Sequence, residues 1–156
     1  MLDIPSISAR VAAIGVLVGV TLAYLEVRTL VKQRQTDLVI GLYSTMGSKE
    51  MLETWEKIKT REYKDFNAYI KEYGLSEVHE VGIFYEGIGV LLRRKLIDIG
   101  LVDDLFSIPI KSVWEKLKPI VEWQRKQSGR PQYYEWFEYL YNEMQKREQR
   151  LQQTQQ

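Results

Sequence analysis

The chain has 156 residues, 45% of them apolar and 28% charged, a balance that suits an ordinary folded domain. A formal net charge of +1 argues against a protein held on nucleic acid by phosphate attraction, which needs a basic excess. With no cysteine and a single histidine, His79, the chain has no disulfide, thiol nucleophile or multi-histidine metal site, and a Ser-His-Asp triad only through His79.

The first element is the run Val11 to Leu25, which holds no charge. Its fifteen residues as a helix span about 22 Å, short of a hydrocarbon core of about 30 Å. Extended back to Ile4 the helix reaches about 33 Å and takes in Arg10, near the end, where a long cationic side chain snorkels to the headgroups. The expectation is a transmembrane helix from Pro5 or Ile7 to about Val27. Arg28, Lys32 and Arg34 follow the run while Arg10 precedes it, so the charge bias puts the C-terminal side in the cytoplasm.

Three other readings compete. A cleaved signal peptide wants a basic start and a small-x-small site, whereas Asp3 precedes Arg10 and the run ends Ala23-Tyr24-Leu25-Glu26. A buried core helix suits so short a run, and an interfacial helix needs a polar face that is missing here. Gly15, Gly19 and Ala23 recur every four residues on one helix face, which lets two backbones approach closely in lipid and predicts a dimer. The plainer reading is that glycine is common in membrane helices.

No proline or glycine interrupts Val20 to Ile40, so the helix should continue to Gly47-Ser48 with Val27, Leu30, Val31, Leu38 and Leu42 along one side. Ser48 caps the next helix, which presents Met51, Leu52, Trp55 and Ile58 on one face and pairs Glu53 with Lys57. Tyr63, Phe66, Ile70 and Tyr73 mark a short amphipathic helix stopped by Gly74. Ser76 is expected to cap the most apolar helix outside the anchor, which reaches about Ile99 and forms the centre of the domain. Asp103 to Phe106 reads as a short helical turn. Ser107 and Pro109 open another helix, with Pro119 inside it as a kink. Gly129-Arg130-Pro131 stops that helix and starts the last, whose core stripe is Tyr133, Phe137, Leu140 and Met144. The polar tract from Gln149 should fray. The domains expected are an anchor over 1–35, a helical cytoplasmic domain over 36–148 and a polar tail over 149–156; the fold class is all-α.

Glu86 is the position with most chemistry. It stands in VGIFYEGIGVLL, residues 81–92, where a carboxylate must be paired, protonated or turned to water. As a functional group it would be a general base or binding carboxylate; as a structural one it would sit in an ion pair, with Arg125 or Arg93 as partner. The second role is the commoner. Gly82, Gly87 and Gly89 lack the strand and the Gly-Lys-Ser/Thr sequence of a phosphate loop, so close helix packing is expected. Arg93-Arg94-Lys95, with Arg28, Lys32 and Arg34, is a candidate contact for anionic lipid, against the plainer reading of a solvated basic turn. His79 reads as a surface residue. Tyr134, Trp136, Tyr139 and Tyr141 exceed the needs of one core stripe and are expected to cover the preceding helix, with a protein partner or lipid headgroups as the alternatives.

The pattern resembles the prokaryotic domain-of-unknown-function family numbered forty-seven sixty, small helical proteins anchored by an N-terminal membrane helix. The residues that carry the resemblance are the apolar run followed by RTLVKQR (28–34), then FYEGIG (84–89), LIDIGL (96–101), VWEKLKPI (113–120), Gln124-Arg125 and WFEYL (136–140). These are packing motifs, so the resemblance implies an architecture and no reaction. The functional expectation is a non-enzymatic interaction or scaffold protein at the cell membrane. It would be single-pass and self-associating or bound to a protein partner, with lipid contacts, no nucleic acid and no cofactor. The alternative is an enzyme or small-ligand binder using Glu86 in an interhelical pocket, and a third option is a lipid-surface sensor built on the basic residues.

Overall fold

The computed structural model describes the backbone of residues 4–154 and the side chains of residues 10–154; Asp3 lies outside them. The described residues form six helices: α1 (Ile4–Met46), α2 (Lys49–Thr60), α3 (Phe66–Tyr73), α4 (Ser76–Arg93), α5 (Ile99–Ser128) and α6 (Glu135–Thr154). Among the described residues there is no strand, and the fold is all-α. The chain forms two compact units, Met1–Asp37 and Leu38–Gln156, with α1 running through the boundary.

Among its described residues the first unit is helix alone. From Arg10 onward α1 is long and apolar enough to cross a membrane, and the span's most apolar window has no buried residue. Leu17 is 67% exposed and Leu22 is 61% exposed. Threonines 21, 29 and 36 turn their hydroxyls back onto carbonyls one turn earlier, so these polar groups need no outside partner.

The second unit has its core where α4, α5 and α6 meet. Tyr85 stacks on Phe137 with ring centroids 4.8 Å apart, and Trp114 meets the same ring edge-on at 4.9 Å. Ile88, Phe106, Ile110, Leu117 and Leu140 close this layer, all fully buried. The last turns of α1 meet the first half of α5. Tyr43 packs edge-on to Phe106, and Met46 and Pro109, each three residues further on, line one apolar cavity of about 100 Å³. Ser48 caps α2 by accepting the Met51 N–H, as its position before the apolar stripe leads one to expect. Gly74 and Gly129 end α3 and α5 with positive φ.

Several boundaries differ from the sequence reading. Helix α4 stops at Arg93, not near Ile99. The Leu96 N–H bonds the Leu91 carbonyl and the Lys95 N–H bonds the Leu92 carbonyl, a Schellman closure with Lys95 at φ 58° in the place glycine usually takes. The expected turn at Asp103–Phe106 and the separate helix from Ser107 are one helix. Asp98 accepts the Gly100 and Leu101 N–H groups and starts α5 early. The buried stripe Val102, Phe106, Ile110 and Val113 then carries the helix across Pro109. Leu75, not Ser76, occupies the cap position of α4, and it offers no side-chain bond. On α2, Glu53 pairs with Lys49 and not with Lys57, and a second pair joins Lys59 to Glu56. Helix α6 begins at Glu135 after a turn and runs to Thr154; the last two residues of the polar tract, 155 and 156, lie outside the described residues.

Candidate functional site

The groups with chemical potential gather where α4 crosses the start of α6. Gly82, Glu86 and Gly89 share one face of α4 at spacings of four and three. A Cβ on Gly89 would stand 2.0 Å from the Trp136 carbonyl oxygen, so only glycine lets the two backbones come this close. On Gly82 it would stand 2.6 Å from the Tyr134 ring. Gly87 has nothing within 4 Å of such a Cβ and serves no such contact.

Between these two glycines Glu86 reaches across and accepts the Phe137 N–H at 2.7 Å. Phe137 is the third residue of α6, whose first N–H groups have no partners within their own helix. A carboxylate on α4 therefore caps α6, in the place where the positive end of the helix dipole favours an anion. Burial raises the Glu86 pKa, opposed by the backbone N–H groups of Phe137 and Trp136, raised further by Glu135 and lowered by Arg125. Among the described residues Glu86 makes no ion pair. Arg125, its expected partner, instead bonds Glu138 at 2.8 Å and donates from Nε to the Tyr133 carbonyl at 2.9 Å. Arg93 is exposed and has no acidic partner among the described residues.

Beside the cap lies an open groove of about 390 Å³ lined by His79, Ile83, Glu86, Arg130 and residues 132–134. Tyr134 holds φ at 55°, an unusual conformation for a bulky residue, and is fixed there by its ring on Gly82. Burial pushes its hydroxyl well above the ordinary phenol range, with the Glu86 charge adding to the effect, so it stays protonated. His79 is half-buried, not a surface residue, because Gln124 bonds its Nε2 at 2.9 Å. No nucleophile stands beside a base here. Among the described residues no three His, Cys, Asp or Glu side chains converge as a metal site.

The remaining expected residues lie elsewhere. Gly15, Gly19 and Ala23 are exposed on α1, as are Arg28, Lys32 and Arg34. Arg93, Arg94 and Lys95 are exposed at the end of α4, where Val90, Arg93, Arg94 and Trp136 line a second groove of about 470 Å³. Of the surplus aromatics, Tyr134 is buried on α4 and Tyr141 packs near Trp114 at 6.1 Å. One group was missed in the sequence. Arg61 bonds Glu77 at 2.9 Å and the Tyr69 hydroxyl at 3.1 Å, tying the end of α2 to α3 and α4 and holding the Glu77 carboxyl below its usual range. Its signal, a lone arginine after a helix end, is too common to single out.

No curated protein and no solved structure matches this chain. Residues 12–144 match a family described as a domain of unknown function, DUF4760, and since that stretch takes in most of both units the chain belongs to that family.

Proposed function

We propose that this protein is a single-pass membrane protein whose helical second unit works at the cytoplasmic face as an interaction or scaffold module, not as an enzyme. The observation that carries the reading is the exposed apolar surface of α1: every side chain from Val11 to Val31 is turned outward. Contiguous apolar surface beyond a few hundred Å² is rare on soluble monomers. A core-helix reading needs that surface buried within the chain, and the span's most apolar window has no buried residue. Arg28, Lys32 and Arg34 after the run support the cytoplasmic orientation. Gly15, Gly19 and Ala23 on one exposed face support self-association through the anchor.

The non-enzymatic part rests on Glu86, whose carboxylate is already engaged by the start of α6. Fractionation tests the anchor. The full chain should sediment with membranes, resist extraction by salt and alkali, and come out in detergent. A chain that stays in the supernatant without detergent refutes the reading. Gly19→Leu should lower self-association in a membrane reporter; unchanged association would remove the dimer from the proposal.

A further inference from the structure

We propose that the turn between α4 and α5, with Arg93, Arg94, Lys95 and Leu96 at its tip, binds the headgroups of an anionic bilayer, so that the second unit rests on the membrane that holds α1. The inference relies on the membrane-anchor reading and adds to it a second, electrostatic contact.

Three observations within the second unit carry it. The first is the shape of the turn. With Lys95 at positive φ and the Leu91 and Leu92 carbonyls satisfied, α4 closes abruptly and leaves three consecutive cations and an apolar side chain exposed. Leu96 is 51% exposed. None of the three cations has an acidic partner among the described residues, whereas the nearby acids are engaged: Asp98 caps α5 and Asp103 bonds Arg147 at 2.9 Å. Asp104 is the exposed exception.

The second is the groove of about 470 Å³ between Arg93, Arg94, Val90 and Trp136. Two guanidiniums beside a tryptophan suit a phosphate next to acyl chains, because guanidinium pairs with phosphate and tryptophan prefers the headgroup level.

The third is position. Tyr43 packs on Phe106, so the first residues of the second unit lie against the first half of α5, the helix that the turn opens. Ten residues separate Val27, the end of the expected span, from Leu38, where the second unit begins. Joined to the span by so few residues, the second unit stays close to the bilayer, and the surface field of anionic lipid extends about a Debye length beyond the headgroups.

The chain has no cysteine, so Leu96→Cys gives one site for a polarity-sensitive dye on the full-length protein in lipid nanodiscs. Ile108→Cys, 79% exposed on α5, is the control. In discs containing phosphatidylglycerol the dye at residue 96 should report a lipid environment, and in phosphatidylcholine discs or high salt it should report water. Each cation contributes roughly fivefold, so replacing Arg93, Arg94 and Lys95 by glutamine should lower the docked-to-undocked ratio on the order of a hundredfold. The control should stay in water throughout. If protein and discs co-elute but the dye at residue 96 is indifferent to lipid charge or to the triple replacement, this inference fails and the anchor stands. If the chain does not co-elute with discs, both fail. A response to inorganic phosphate without lipid would reassign the site to a soluble anion and overturn the proposal.

Discussion

Removing the Glu86 side chain should loosen the second unit by uncapping α6. The carboxylate accepts the Phe137 N–H at 2.7 Å in a half-buried site, so Glu86→Ala leaves a donor with poor access to water. A buried orphan donor costs about 1–3 kcal/mol, and a lost helix cap alone costs about 0.5–2 kcal/mol. These are two views of one contact, so the expected loss is about 2 kcal/mol, or a drop in Tm of about 8 °C for a unit of this size. Glu86→Gln should lose under about 1 kcal/mol, because the amide oxygen still accepts and burial already disfavours the charge.

The pH dependence follows from the same site. Burial raises the folded pKa of Glu86 above its unfolded value, so the folded state holds its proton more tightly. The stability this adds is fully present below the unfolded pKa and is lost as pH rises through the folded pKa. Glu86→Gln should flatten that part of the profile. Thermal unfolding of the detergent-solubilised full chain from pH 4 upward, with hydrogen exchange at the Phe137 amide, measures both effects. Glu86→Ala as stable as the parent, or Glu86→Gln as damaged as Glu86→Ala, would refute the capping argument.

The glycines of α4 should separate under substitution by alanine. Gly89→Ala drives a Cβ into the Trp136 carbonyl, a backbone atom that cannot step aside, and should cost roughly 3 kcal/mol or more in urea unfolding. Gly87→Ala, exposed and with nothing nearby, should stabilise by about 0.5–1 kcal/mol as helix propensity alone dictates. Lys95→Gly should stabilise by about 1 kcal/mol in thermal unfolding, because glycine takes the left-handed position without the strain that lysine bears at φ 58°.

What the sequence makes legible here is periodic or local. The apolar stripes of α2, α4 and α5, the Ser48 cap and the stops at Gly74 and Gly129 each follow from residues within a turn or two of one another. What it hides depends on distant partners. Nothing near Glu86 in sequence says that it will meet an amide fifty-one residues away, and two arginines made more obvious partners than a backbone N–H. Pro109 reads as a helix start because local rules favour proline there. It sits mid-helix because the Asp98 cap acts earlier and the core stripe on either side outweighs one lost hydrogen bond.

The family stretch begins at residue 12, inside the apolar run, and ends at residue 144, the last buried position of α6. It is therefore not the helical unit alone that the family shares, with an anchor attached for convenience; the sequence held in common runs through the boundary at residues 37 and 38. A function that the second unit carried out alone in solution would place no demand on that first helix. The crossing of α4 and α6 is held by Gly82, Glu86 and Gly89, two of them through close backbone approach and the third through the Phe137 N–H. Among the described residues, the exposed features without a partner include the apolar side chains of α1 up to Val31 and the basic tip between α4 and α5. The first is apolar and the second cationic, and an anionic bilayer, as proposed above for each, would offer hydrocarbon to the one and phosphates to the other.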